Sequence, residues 1–201
     1  MTEPAGTAPR RAANGALEAQ IIEAAYACFE RFGITKTTME DIARGASVSR
    51  QSVYRYFARK DDILDEICAR EAVKINAIVR ARIRRDGNFA DTLTDALCVI
   101  ISEADKNPYL RQVIDAPSVQ TLASSPASRA YRLNRSYWQG MMQRAAAAGQ
   151  LADDLSLDEI VSWLLMMQSV LQLRLASGQI DAAQLHRLVR RFAVAPLLKS
   201  V

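Results

Sequence analysis

The sequence predicts an all-α protein, and three observations carry that reading. Apolar residues recur at spacings of three and four along nearly the whole chain. No alternating run is long enough to form a strand, and caps and breakers punctuate the pattern at helical intervals. With 201 residues, 50% of them apolar, the chain can build one or two domains with a real core.

Residues 1–15, rich in Ala, Gly, Pro and Thr, read as a disordered arm. Leu17, Ile21, Ala25, Cys28 and Phe32 then lay one apolar stripe on a first helix, which Gly33 closes. Thr38 suits the N-cap of a short second helix, 39–46, with Asp41 placed for a capping box. A tight break at Ser47–Val48 follows. Ser49 caps a third short helix, 50–57, and a long fourth runs over 60–84. Further helices are expected over 89–106, 108–115, 127–148, 157–176 and 182–198. Pro108 and Pro126 fall at first helical positions, Ser156 and Glu159 form a capping box, and Gly149 and Gly178 sit where C-caps belong. Residues 115–128 read as a loop or broken helix. The resulting plan is an arm over 1–15, a small helical domain over 16–60 and a larger helical domain over 61–201.

Several chemistries are poorly served by this composition. Cys28, Cys68 and Cys98 are far apart and odd in number, which argues against a disulfide framework and a zinc site. They suit packing better than redox sensing. The single histidine, His186, removes every His-dependent triad and most metal chemistry, and reads as a surface or interface residue. There is no Gly-rich phosphate loop and no nucleophile with a nearby base, so neither an enzyme nor a cofactor is expected. The longest uncharged apolar run, 160–173, is too short to span a bilayer, and the N-terminus has no signal-peptide core. A soluble, reduced, cytoplasmic protein is the expectation.

The net charge is only +4, but its placement is informative. Between residues 44 and 60 stand Arg44, Arg50, Arg55, Arg59 and Lys60, with no acid among them. They interleave with Tyr54 and Tyr56, whose hydroxyls can reach phosphates. Two short helices and a tight turn make a helix-turn-helix pattern, whose second helix reads base edges in the major groove. Arg50 and Gln51 suit bidentate contacts to guanine or adenine, and Ser52 a single hydrogen bond.

The stretch from Leu17 to Leu64 resembles the N-terminal domain of the tetracycline-repressor (TetR) family, in the pieces FERFG, TTMEDIA, VSRQSVYRYF and ARKDDIL. The resemblance implies an all-helical bacterial homodimer with a three-helix DNA-binding domain. It also implies a divergent C-terminal domain that dimerises and binds a small molecule. The expected function is a transcriptional repressor, released from a palindromic double-stranded DNA operator by a small, hydrophobic ligand. A ligand-independent regulator or an activator of the same fold is the alternative. The matching positions expected near DNA are Thr38, Ser49, Arg50, Gln51, Ser52, Tyr54, Tyr56 and Lys60, and Arg55 joins them from the basic stretch. Ser47 stands where the family mostly has Gly, and a positive φ there would cost about 1 kcal/mol. Gln51 replaces a common Gly, and Arg59 a common Ser that would cap the fourth helix.

In the second domain, residues 163–173 are apolar almost all round, which calls for cover on every side. Leu164, Met167, Leu171, Leu185, Leu188 and Phe192 are therefore expected in an interface with a second copy of the chain, as part of a four-helix bundle. Tyr109, Trp138, Met141, Met142, Trp163 and Met167 are the candidates for an adaptable ligand pocket, although Met and Trp at helical spacing are more often ordinary core.

Overall fold

The computed structural model describes residues 8–83, 88–114 and 125–199. The chain divides into two compact units, Met1–Ile67 and Cys68–Val201.

The first unit opens on α1 (Ala8–Phe32), followed by α2 (Met39–Gly45), α3 (Arg50–Tyr56) and the first turns of α4 (Lys60–Arg82). The expected arm is thus helical from Ala8, an uninterrupted extension of α1; residues 1–7 lie outside the described ones. The expected boundary at residue 60 moves into α4. Ile63, Leu64 and Ile67 are fully buried and complete the core that Ile21, Ile22, Ala25, Phe29, Ile42 and Val53 begin. One member of the expected α1 stripe departs from it. Phe32 is exposed and carries the Arg31 guanidinium over its ring, while Phe29 takes the buried place. A 3.6-residue period carries the stripe round the helix faster than steps of three and four suggest.

Local chemistry sets the ends of these helices. Gly33 closes α1 with φ 78°. Thr38 and Asp41 make a full capping box at α2: the Thr38 Oγ1 accepts from the Asp41 N–H, and the Asp41 carboxylate accepts from the Thr38 N–H at 3.0 Å. Ser49 caps α3 by accepting from the Ser52 N–H. At α4 the side of the box that depends on Arg59 is gone, but Asp62 still accepts from the Arg59 N–H at 2.9 Å. Ser47 has φ 52°, the conformation its place in the tight turn demanded.

The second unit contains the rest of α4, then α5 (Phe89–Lys106), α6 (Pro108–Ile114), α7 (Arg129–Ala147), α8 (Leu157–Ala176) and α9 (Ala182–Leu188). Its core gathers Leu93, Leu97, Ile101, Trp138, Met142, Leu164, Leu185 and Val189. α7 begins later than expected because Ser128, not Pro126, supplies the cap, accepting from the Tyr131 N–H. Most of the expected loop, 115–124, lies outside the described residues.

The last helix is not one regular α-helix. After Leu188 it widens into a π-helical stretch, Val189–Val194, and ends in a 3₁₀ turn, Ala195–Leu197. Pro196 has no N–H to continue the ladder. The Ala193 carbonyl accepts from the Trp163 indole at 3.0 Å. Ala193 and Val194 remain buried while Phe192 stands 57% exposed.

Candidate nucleic-acid interface

The helix-turn-helix is held together by bonds that use several of the residues expected near DNA. Gln20 on α1 donates to the Ala46 carbonyl at 2.8 Å, fixing the turn against the first helix. The buried Thr37 donates to the carbonyls of Gly33 and Cys28. Lys60 turns its ammonium to the loop between α1 and α2, where it donates to three carbonyls, those of Ile34, Thr35 and Thr37. An ammonium has three N–H groups, so in this arrangement all are engaged within the protein. Lys60, expected near DNA, thus acts first as a clamp on the loop.

Two more candidates have structural partners. The Ser49 and Ser52 hydroxyls lie 2.9 Å apart at the start of α3, and Tyr56 donates its hydroxyl to Asn14 on α1 at 3.0 Å. Thr38 is exposed but belongs to the capping box, where the side-chain and backbone bonds from Thr38 hold the Asp41 carboxyl below its usual range.

What remains presented outward on α3 is Arg50, Gln51, Tyr54 and Arg55, all exposed. Arg50 lies over the Tyr54 ring at 5.3 Å and donates to the Tyr54 hydroxyl at 3.2 Å. That bond is the largest influence raising the Arg50 pKa. Arg55 lies 5.4 Å from the Tyr56 ring centre. Among the described residues neither arginine makes a salt bridge, whereas Arg44 leans on Asp41 and Arg59 on Asp62. The five basic residues of the stretch 44–60 thus separate by role. Two are offset by neighbouring carboxylates, one is a clamp, and two keep their guanidiniums at the surface of α3.

The second unit rearranges the other candidates. Trp138 and Met142 are wholly enclosed in the core, with the Trp138 indole donating to Gln168 at 3.1 Å; Trp163 and Met167 pack partly buried against the same core. Those four residues serve packing. Tyr109 is half-buried and lies away from the cavity that Met141 helps to line, which has a volume of about 770 Å³ between α4, α5 and α7. Of the interface candidates, Leu164, Leu171 and Leu185 are buried within the unit itself, so they have no surface left for another chain. Met167 and Leu188 are half-buried. The apolar side chains that do face outward on α8 are Met166, Val170 and Leu173, together with Phe192 beyond α9. Periodicity identified the helices but not which side their own unit would cover.

Among the described residues there is no group of His, Cys, Asp and Glu suited to a metal ion, and no helix long and apolar enough to cross a membrane. Burial pushes the Cys98 thiol up to about 11 and raises that of Cys28, which keeps both protonated at neutral pH. His186 is exposed, 4.0 Å from the Asp95 carboxylate.

Residues 21–67 match the family model of bacterial regulatory proteins of the tetR family. It is 26% identical over 149 residues to the HTH-type transcriptional repressor KstR2 of Mycobacterium tuberculosis, covering 72% of this chain and 74% of that one. Over 82 residues it is 27% identical to the nucleoid occlusion factor SlmA of Actinobacillus pleuropneumoniae, 41% of each chain. In fold it is similar to FadR of Thermus thermophilus, a TetR-family transcriptional repressor solved in complex with lauroyl-CoA. That likeness has a TM-score of 0.71 at 19% identity and covers 92% of this chain and 96% of that one.

Proposed function

We propose that the protein is a sequence-specific DNA-binding repressor that acts as a homodimer and leaves its operator when a small molecule binds its second unit. The observation that carries the reading is the outer face of α3. Arg50, Gln51, Tyr54 and Arg55 are exposed there while their neighbours hold the scaffold. Arginine and glutamine pair with guanine and adenine edges in the major groove, and a short helix presented by a fixed turn is what fits that groove.

The dimer rests on Met166, Val170, Leu173 and Phe192, large apolar side chains left uncovered on the last helices. A second copy covers the same patch on both partners, and twofold symmetry makes the operator an inverted repeat. The ligand rests on the cavity that Met141 lines, whose size falls within the range of small-molecule sites. α4 gives the ligand a route to the DNA-reading part, because one continuous helix starts in the first unit and lines the cavity further along.

Titration of the purified protein onto duplex DNA at rising salt tests the reading, with sedimentation velocity run in parallel. A dimer is expected, with an affinity that falls steeply as phosphate contacts release counterions. A monomer whose DNA affinity ignores salt would contradict it.

A further inference from the structure

The cavity of the second unit has a chemistry that its neighbours on the core side do not share. Its floor is apolar, formed by side chains such as Val79, Ile83, Phe89 and Met141. Two guanidiniums, Arg80 and Arg144, line it as well, and no carboxylate stands among the described lining residues. Arg80 rests over the Tyr137 ring at 6.0 Å. The Arg144 guanidinium lies beside Gly140. Among the described residues neither arginine has an ion-pair partner. Elsewhere in the unit Arg82 pairs with Glu103 and Arg135 with Asp158.

Asn76 lines the same cavity and is only 8% exposed. A carboxamide opening onto a cavity is ready to donate to, and accept from, a polar group held inside it.

We infer that the cavity takes an amphipathic anion, with its apolar body against Val79, Phe89 and Met141, its carboxylate or phosphate head held by Arg80 and Arg144, and a polar group of its stem bonded to Asn76. Guanidinium forks match both carboxylate and phosphate. Apolar walls alone would accept a neutral hydrocarbon equally well; the arginines make the site choose. The inference rests on the proposal that a small molecule binds the second unit, and it replaces a simply hydrophobic ligand by a charged one.

The test uses four probes that share a twelve-carbon chain: dodecanoate, dodecyl phosphate, dodecanol and dodecyltrimethylammonium, each below its micelle-forming concentration. Binding is followed by calorimetry on the full-length protein. The two anions are expected to bind at least tenfold more tightly than the alcohol, and the cation not at all. Whichever anion binds more tightly identifies the head group. Arg80→Met with Arg144→Met is expected to abolish the preference and leave alcohol binding unchanged. Asn76→Leu is expected to weaken the anions while keeping them preferred over the alcohol. Because the double variant can fail to fold, phenylglyoxal labelling of the unaltered protein gives a second reading: the anions are expected to protect Arg80 and Arg144, the alcohol to leave them reactive. Equal affinity for anion and alcohol, or no protection at either arginine, would overturn the inference. An anion that binds with the expected preference but leaves the DNA complex intact supports the site and contradicts the ligand-released repressor. Operator binding that no probe alters, with no anion bound, contradicts the site alone.

Discussion

The Lys60 ammonium donates to the carbonyl oxygen of Ile34 at 2.7 Å, across 26 residues of sequence. Its other two N–H groups reach Thr37 and Thr35, so one side chain fastens the start of α4 to the loop between α1 and α2. Lys60→Met keeps most of the stem and removes the clamp. It is expected to destabilise the first unit by about 1–3 kcal/mol, the range for hydrogen bonds from charged groups. Chemical denaturation followed by circular dichroism reads it directly. An unchanged midpoint would return Lys60 to the surface role its sequence position suggested.

Tyr54 gives the contrasting case. It is 41% exposed and its hydroxyl serves Arg50. Tyr54→Ala and Arg50→Ala are each expected to cost roughly tenfold or more in operator affinity, within the range of a good base contact, with folding stability little changed. Since the two side chains touch, the double variant is expected to lose less than the sum of the single losses. Fluorescence anisotropy on one operator measures all three, and strict additivity would show that the pair does not work as a unit.

Ser47, at φ 52°, occupies a conformation that glycine adopts without penalty. Ser47→Gly is expected to stabilise the first unit by about 0.5–1 kcal/mol, the relief of left-handed strain less the greater freedom of the unfolded chain. A thermal melt that moves downward instead would mean that the serine side chain contributes a bond worth more than the strain.

Two capping carboxylates set an expectation for acid. Bonds from Thr38 hold the Asp41 carboxyl below its ordinary 3.8. Bonds from Ser156 hold that of Glu159 below its ordinary 4.5. Both ionise more readily in the folded chain than in the unfolded one. Their contribution is therefore complete above those ordinary values and is lost as the pH falls through the depressed folded ones. Asp41→Asn and Glu159→Gln are each expected to lower stability at neutral pH and to flatten its decline between about pH 5 and 3. Urea midpoints across that window test it; parallel acid limbs in variant and parent would exclude both groups.

Much of the fold was legible because helix ends carry local chemistry. Thr38 with Asp41, Ser49, Ser156 with Glu159, and Gly33 announce their caps by residue type alone. The bounds of α5 and α8 follow directly from such signals. The π-helical stretch Val189–Val194 was not legible, because the apolar periodicity of 182–198 reads the same for an α-helix. The same distinction runs through the candidate site. Charge and spacing located α3, but which basic residue faces outward depends on partners far away in the chain, such as Ile34 for Lys60 and Asn14 for Tyr56. In the second unit, an all-round apolar helix hides which side is already covered, so Leu164 and Leu171 read as interface and prove to be core. Arg80 and Asn76 escaped notice because ordinary polar residues on a long helix carry no local sign that they line a cavity.

The reading role of α3 is tested most directly by offering the protein DNA. Binding-site selection by the purified protein from a random duplex pool is the measurement, repeated with the Arg50→Ala variant. An enriched inverted repeat is expected, with half-site centres about one helical turn, 10–10.5 bp, or a multiple of it apart, and with a change or loss of the selected bases in the variant. No enrichment at low salt, or the same bases selected without Arg50, would contradict the claim that this helix reads sequence.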